Sequence, residues 1–230
     1  AAGDAAFQAR RQFGRRGPAA RLRAQEGQHL LITLPLGPRV ATALGLLRRA
    51  EVFLRLGRTA ECLRDLDRIS PSAENRGETT VLRARVLLHE AERLQARSAA
   101  TEDEHRQAKQ KCREAIRMLD EAQASDGSGK DVARKAAYLK GLGLVQLGEN
   151  GAAAEQLSRA ARLGDGTPEG MAAMLEQADL ARRLGRDSDA MFAYRHVLAV
   201  AGLPERFRSP WITLKQLRAR LAAAYQHYRK

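Results

Sequence analysis

The sequence predicts an all-α protein built from antiparallel pairs of helices, and three observations point to this class. First, aromatic residues make up only 4% of the chain although hydrophobic residues reach 44%, so alanine and leucine supply most of the apolar surface. These residues suit close helix-on-helix packing better than a β-sandwich, which is rich in aromatic and β-branched residues. Second, amphipathic segments are separated by short connections that contain Gly, Asp, Asn or Pro. Third, one spacing of small and large residues recurs along the chain.

Helices are predicted in order from residue 39 to the end of the chain. Gly57 follows the first helix, where glycine favours the left-handed conformation that ends a helix. Thr101 precedes three acidic residues, which is the pattern of an N-cap followed by charges that suit the helix dipole. Ser209 and Pro210 are expected to begin a last helix that runs to the C-terminus. The earlier helices are predicted at 39–56, 59–69, 78–97, 102–124, 131–147, 151–163, 168–184 and 187–201.

Residues 1–37 are predicted to form an N-terminal region of their own, a basic arm followed by a helix. Pro18 can open this helix, which is expected to run to about Leu31. The apolar segment from Leu30 to Leu36 has the composition of a short strand. A helix end and a packed connection are favoured instead, because no partner strand is predicted anywhere in the chain.

Three glycines, Gly57, Gly148 and Gly185, align the recurring pattern. A small residue lies seven positions before each glycine, a second small residue lies five positions after it, and a large residue lies nine positions after it. Two antiparallel helices that cross closely need small residues at the crossing and large ones beside it, and the glycine lets the chain turn between them. The three sets are Ala50, Gly141 and Ala178; Cys62, Ala153 and Ala190; and Leu66, Leu157 and Tyr194.

This spacing resembles that of the tetratricopeptide repeat (TPR) family, whose units are helix–turn–helix motifs of about 34 residues. The resemblance covers about Ala43 to Ala201 and implies a right-handed TPR-like α-solenoid over residues 38–204; a related α-solenoid is the alternative. Residues 205–230 are then the first half of a further repeat, and the chain is expected to be a fragment of a longer array. The family usually has leucine where Arg49, Lys140 and Gln177 stand. The implied repeats are about 39–71, 78–125 (lengthened into a long helical hairpin by an insertion of about twenty residues), 131–164 and 168–201.

Nothing in the sequence points to catalysis, a cofactor or a metal. The five histidines are dispersed, and no two have the spacing of metal ligands. Cys62 and Cys112 are far apart, and a buried free thiol is expected for Cys62 because it falls on a small-residue position of the repeat. The segment Gly127–Lys130 resembles part of a phosphate loop, but Ala124 and Asp131 occupy positions that require Gly and Ser or Thr. We therefore predict a non-enzymatic protein.

The resemblance implies that the first helices of successive repeats line a groove that binds a protein or a peptide. Its mixture of apolar and basic side chains suits an extended or helical peptide with an acidic margin; alternatively, the apolar groups pack against a neighbouring repeat or the N-terminal region. Chaperone-tail binding is disfavoured, because Leu47 and Glu51 stand where the family's carboxylate clamp has Lys and Asn. Trp211, the only tryptophan, is expected to pack against the preceding repeat. The predicted groove residues are Leu47, Glu51, Arg55, Arg85, His89, Lys135, Tyr138, Leu142, Leu175, Asp179, Arg182 and Arg183.

The formal net charge of +13 raises the alternative of a protein that binds nucleic acid or another anionic surface. The arginines are scattered among acidic residues and lack interleaved aromatic residues for base stacking, which favours a compositional origin of the charge. A third alternative is the regulatory region of a larger enzyme. No run approaches the ~18 apolar residues of a transmembrane helix, so a soluble protein is expected, either cytoplasmic or, if a signal peptide has been removed, periplasmic.

Overall fold

The computed structural model describes residues 42–70, 72–97, 101–124, 129–202, 207 and 209–229. The predicted N-terminal arm and helix of residues 1–37 and half of the phosphate-loop-like segment, residues 127 and 128, lie outside these ranges. The chain divides into two units, Ala1–Gly45 and Leu46–Lys230. Only residues 42–45 of the first unit are described, so the architecture below is that of the second unit.

The described ranges contain helices and no strand, which confirms the all-α prediction. None of these helices combines the length and the apolar character needed to cross a membrane. In chain order the helices are α1 (Ala43–Arg55), α2 (Thr59–Asp67), α3 (Ala73–Gln95), α4 (Glu102–Ala124), α5 (Lys130–Leu147), α6 (Asn150–Leu163), α7 (Pro168–Arg183), α8 (Asp187–Ala201) and α9 (Leu214–Tyr228).

Most helix ends agree with the prediction to within two residues, and three helix starts differ. Helix α1 begins at Ala43, four residues later than expected. Helix α3 begins five residues earlier than expected, because the N–H of Ser72 donates a hydrogen bond to Oδ1 of Asn75 at 3.1 Å and stabilises an earlier first turn. The predicted start of the last helix at Ser209 and Pro210 is wrong. Helix α9 begins at Leu214, after Thr213.

A capping box explains where α9 begins. The hydroxyl of Thr213 accepts a hydrogen bond from the N–H of Gln216 at 3.2 Å, and the N–H of Thr213 donates to Oε1 of Gln216 at 2.9 Å. Ser209 instead closes a short turn, since its hydroxyl accepts from the N–H groups of Trp211 and Ile212 at 3.2 and 3.4 Å. Residues 209–213 are therefore a non-helical segment that leads into α9.

Consecutive helices pack as hairpins, α3 with α4, α5 with α6 and α7 with α8, and the α1–α2 pair is linked by the ion pair of Arg49 with Asp65. Neighbouring hairpins also pack on each other. Helix α4 contacts α5 and helix α6 contacts α7, and among the first helices α3 contacts α5 and α5 contacts α7. The three aligned glycines all have positive φ, +72° at Gly57, +81° at Gly148 and +69° at Gly185. This left-handed conformation carries little strain only for glycine, so the predicted turn positions are confirmed.

The helix crossings are as close as the spacing predicts. A Cβ on Gly141 of α5 would lie 2.7 Å from Cγ and Cδ2 of Leu157 of α6, so glycine is required for this approach. The small residues at the other predicted crossing positions are completely buried. Helices α3 and α4 each contain 23 residues, the longest in the described ranges, and pack against each other.

Two clusters form the apolar core. The larger cluster extends from α3 to α7, and the smaller one joins α7, α8 and α9 through residues that include Leu175, Tyr194 and Leu217. Cys62 and Cys112 are buried free thiols, as expected for Cys62, and burial raises the pKa of each to about 11. Because Leu217 belongs to the smaller cluster, helix α9 packs with α7 and α8.

Candidate partner-binding surface

The predicted groove residues lie on the surface formed by the first helices of the hairpins, α1, α3, α5 and α7, which we call the first-helix face. Part of this face is covered by residues 209–216 of the same chain. The indole of Trp211 lies between two predicted groove residues: the guanidinium carbon of Arg85 is 4.0 Å from the ring centroid, and the ring of Tyr138 meets the indole edge-on at 5.2 Å. Nη2 of Arg85 also donates to the carbonyl oxygen of Pro210 at 3.4 Å.

This placement corrects the expectation for Trp211. The preceding hairpin in the chain is α7–α8, yet the indole contacts Arg85 of α3 and Tyr138 of α5. A cation above an aromatic ring and an edge-to-face ring pair each stabilise such a contact by about 1 kcal/mol. The non-helical segment of residues 209–213 therefore crosses the first-helix face and does not extend the α7–α8 hairpin.

Two larger clefts lie on the described part of the first-helix face, beside a small one of about 20 Å³ between Glu51, Arg85 and Lys135. The α1–α3 cleft has a volume of about 590 Å³ and lies among Leu54, Arg55, Arg85, His89 and the C-terminal segment. The α5–α7 cleft has a volume of about 520 Å³ and lies among residues of α5, α7 and α9. Both volumes fall within the range of about 300–1,000 Å³ that is typical of ligand-binding clefts. The residues that line both clefts are Glu92, Trp211, Ile212 and Gln216.

The two clefts differ in character. Cationic side chains dominate the α1–α3 cleft, which is lined by Arg55, Arg85 and Arg93 and by the acid Glu92. Apolar side chains supply much of the wall of the α5–α7 cleft, and its charged residues are the acids Glu92 and Glu176 and the cation Arg220. Polarity therefore changes from basic to apolar and acidic across the first-helix face.

Three of the predicted groove residues are buried and present little surface to a partner. Leu47 is 6% exposed, Tyr138 is 4% exposed, and Leu175 is completely buried in the smaller core cluster. Burial of Tyr138 also raises the pKa of its phenol, because the charged form is poorly solvated there. These three residues pack beneath the first-helix face and contribute little to its exposed surface.

Two further predicted groove residues take part in a network that joins α7 to α8 and α9. Asp179 accepts hydrogen bonds from the hydroxyl of Tyr194 and from Nε of Arg220. Nε of Arg182 donates to the hydroxyl of Tyr194 at 3.2 Å, and Arg220 also donates from Nη1 to Oε1 of Glu176 at 2.6 Å. Burial and the bond to Asp179 raise the pKa of Tyr194 to about 12. Asp179 and Arg182 therefore hold the helices together, and substituting Arg182 is a poor test of partner binding.

The remaining predicted residues are accessible to different degrees. Lys135 forms an ion pair with Glu78 at 3.4 Å, and Glu51 lies between Arg48 and Arg55, 3.6 and 3.9 Å from their guanidinium groups. Among the predicted residues that line the open clefts are Arg55, Arg85 and His89 in the α1–α3 cleft and Tyr138 and Leu142 in the α5–α7 cleft. Arg183 is exposed at the end of α7.

Sequence reasoning missed the contribution of residues 209–220 to this surface. Ile212, Gln216 and Ala219 form part of the wall of the α5–α7 cleft, and Arg220 lies beside them. The available signal was a single tryptophan next to a proline in a chain with few aromatic residues. Within the described ranges, no group of His, Cys, Asp and Glu side chains is placed to hold a metal ion.

Comparison of the chain with protein-family models, with curated proteins and with solved structures finds no match. The resemblance to the tetratricopeptide family therefore rests on the residue spacing alone.

Proposed function

We propose that this chain is a non-enzymatic, TPR-like protein-interaction scaffold that binds an extended peptide segment of a partner protein on its first-helix face. The observation that carries the proposal is the pair of open clefts, of about 590 and 520 Å³, on a face otherwise formed by packed helices. Their walls combine apolar side chains with a few polar groups, the composition by which peptide-recognition surfaces gain affinity and orientation.

The pairing of the basic side chains favours a protein partner over nucleic acid. A nucleic-acid surface needs arginines and lysines that are free to reach a row of phosphates. Here many of them are engaged with carboxylates of the same chain, for example Arg49 with Asp65 at 2.5 Å and Lys140 with Asp120 at 2.6 Å. Such pairs carry no net charge, so these arginines and lysines of the described residues are not free to bind phosphates.

A peptide selection tests this proposal. A random peptide library is displayed on phage, selected on the immobilised chain, and the selected peptides are titrated while the fluorescence of Trp211, the only tryptophan in the chain, is recorded. Trp211 lines both clefts, so a peptide on the first-helix face is expected to change its emission.

The matched variants are Leu142→Gln and Leu198→Gln. Leu142 lines the α5–α7 cleft, whereas Leu198 is 56% exposed on α8. Leu142→Gln is expected to weaken the selected peptides by about tenfold, the effect of losing about 1.4 kcal/mol of binding free energy, and Leu198→Gln to leave affinity unchanged. Circular dichroism checks that both variants keep their helices. Failure to select any peptide, or equal losses in both variants, contradicts the proposal.

A further inference from the structure

The α1–α3 cleft holds an excess of positive charge. Three arginines, Arg55, Arg85 and Arg93, line it together with the acid Glu92, which gives these four side chains a formal charge of +2 with His89 neutral. The guanidinium group is the side chain best suited to bind a carboxylate, because its planar donors match the two oxygens. This cleft therefore has the chemistry of an anion-binding site.

Arg85 forms no ion pair or carboxylate hydrogen bond within the described residues, and Glu51 is the nearby acid that acts on its charge. Other partly buried arginines have carboxylate partners: Arg134 lies 3.5 Å from Glu169, and Arg220 lies 2.6 Å from Glu176. Arg85 instead stacks on the indole of Trp211, and its Nη1 is buried with no hydrogen-bond partner in the described ranges. Its surroundings lower the pKa of Arg85, with burial as the main cause.

A buried charge without a partner lowers stability, and stacking on a ring offsets only part of that loss. A ligand carboxylate in the cleft would supply the missing negative charge. Such an anion would also face the start of α9, since Thr213 and Gln216 of its first turn line the same cleft, and a helix N-terminus favours negative charge.

The neighbouring cleft indicates what the rest of the ligand must be. The α5–α7 cleft presents apolar side chains such as Leu142, Val145 and Ile212. Its charged lining residues are two acids, Glu92 and Glu176, and one cation, Arg220, which is paired with Glu176 at 2.6 Å, so this lining offers a chain of phosphates no unpaired cation. A nucleic acid that placed one phosphate in the α1–α3 cleft would therefore meet unfavourable charge and apolar surface as it continued across the face. A peptide with one acidic residue followed by apolar residues meets favourable surroundings in both clefts.

We propose that the α1–α3 cleft binds the carboxylate of an acidic side chain in the partner peptide, whose neighbouring apolar residues lie in the α5–α7 cleft. This inference rests on the proposed scaffold function and specifies the partner as an acidic–apolar segment. Arg55, Arg85 and Arg93 bind the carboxylate, and Trp211, which lines both clefts, contacts the peptide between its acidic and apolar parts.

The test uses two peptide libraries with blocked termini. One carries a fixed Glu followed by Leu, Val or Phe at random, and the other is identical except for Gln in place of Glu. Binding is followed by the fluorescence of Trp211. The Glu library is expected to bind about tenfold or more tightly than the Gln library, because hydrogen bonds to charged groups contribute more than those between neutral groups.

Charge variants locate the effect. Arg55→Gln combined with Arg93→Gln is expected to abolish the preference for Glu, and Arg85→Gln to do the same if circular dichroism shows that it folds. The control combines Arg113→Gln with Arg117→Gln, two exposed residues of α4, and removes the same charge elsewhere. A preference that persists in both the Arg55/Arg93 and Arg85 variants overturns the assignment of the cleft.

The other outcomes separate this inference from the scaffold function. Equal binding of the Glu and Gln libraries overturns the carboxylate site and leaves peptide binding intact. Displacement of the Glu peptides by inorganic phosphate or by an oligothymidylate at lower concentration than by free Glu peptide overturns it in favour of a phosphate ligand. Absence of binding by both libraries, while phage-selected peptides do bind, overturns the acidic–apolar specificity alone.

Discussion

Arg220 and Arg85 are both partly buried arginines that contact the junction between the first helices and the C-terminal part of the chain, yet their surroundings are opposite. Arg220 reaches Glu176 and Asp179 of α7 and forms short charged hydrogen bonds with both. Arg85 reaches the face of an indole and one carbonyl oxygen at 3.4 Å, and one of its terminal nitrogens has no partner in the described ranges. The first arrangement is that of a structural ion pair, and the second is that of a binding site held ready for an anion.

The largest effect is expected when the structural arginine is removed. Arg220→Ala leaves Glu176, whose side chain is 21% exposed, without its cation, and leaves Asp179, 16% exposed, with only Arg182 at 3.9 Å. We expect the free energy of unfolding to fall by about 2–3 kcal/mol, measured by urea denaturation. Arg218→Ala, an exposed position on the same helix, serves as the control and should change stability by less than about 0.5 kcal/mol. Equal losses in the two variants would contradict the distinction.

A smaller effect is expected at high pH, from the tyrosine in the same network. The pKa of Tyr194 is raised to about 12, compared with about 10 in an unfolded chain. The folded state therefore holds the phenolic proton more tightly, so its contribution to stability is complete below pH 10 and is lost as the pH rises from 10 to 12. Between pH 10 and pH 12 the free energy of unfolding of the parent should therefore fall by up to about 2 kcal/mol more than that of Tyr194→Phe. Identical pH profiles of the parent and the variant would show that Tyr194 does not titrate in this way.

The smallest effect on stability is expected at Arg85. Replacement of an uncompensated buried charge by an apolar side chain of similar length removes its desolvation cost, so Arg85→Met should change the free energy of unfolding by no more than about 1 kcal/mol, in either direction. The effect of Arg85→Met on the binding of acidic peptides in the α1–α3 cleft should instead be large. Urea denaturation measures the first quantity, and a loss near that of Arg220→Ala would place Arg85 among the structural arginines.

The local features of the fold could be predicted because they depend on residues close in sequence. Gly57, Gly148 and Gly185 lie where only a left-handed turn closes each hairpin, and the small residue at Gly141 is dictated by the side chain of Leu157 across the crossing. These requirements appear in the sequence as fixed spacings, so the helix pairs and their register follow from it.

The candidate surface could be predicted only in part, because its form depends on contacts between distant residues. The helical period placed Arg85 and Tyr138 on one face, but no spacing indicates that Trp211 lies between them, since Arg85 and Pro210 are 125 positions apart. The same period cannot distinguish Leu142, which lines a cleft, from Leu175, which is completely buried. The choice of Thr213 over Ser209 as the helix cap was likewise decided by a partner three residues further on, Gln216.

The position of Trp211 has a consequence for how the two clefts respond to ligands. Its indole forms part of the wall of both, so a ligand that moves the ring in one cleft changes the size of the other. Thermodynamic linkage makes such an influence reciprocal, with each ligand altering the affinity of the second by the same factor. A single side chain would thereby couple the acidic and the apolar halves of the proposed peptide, and a partner that presents both halves would gain an affinity that differs from the sum of its parts.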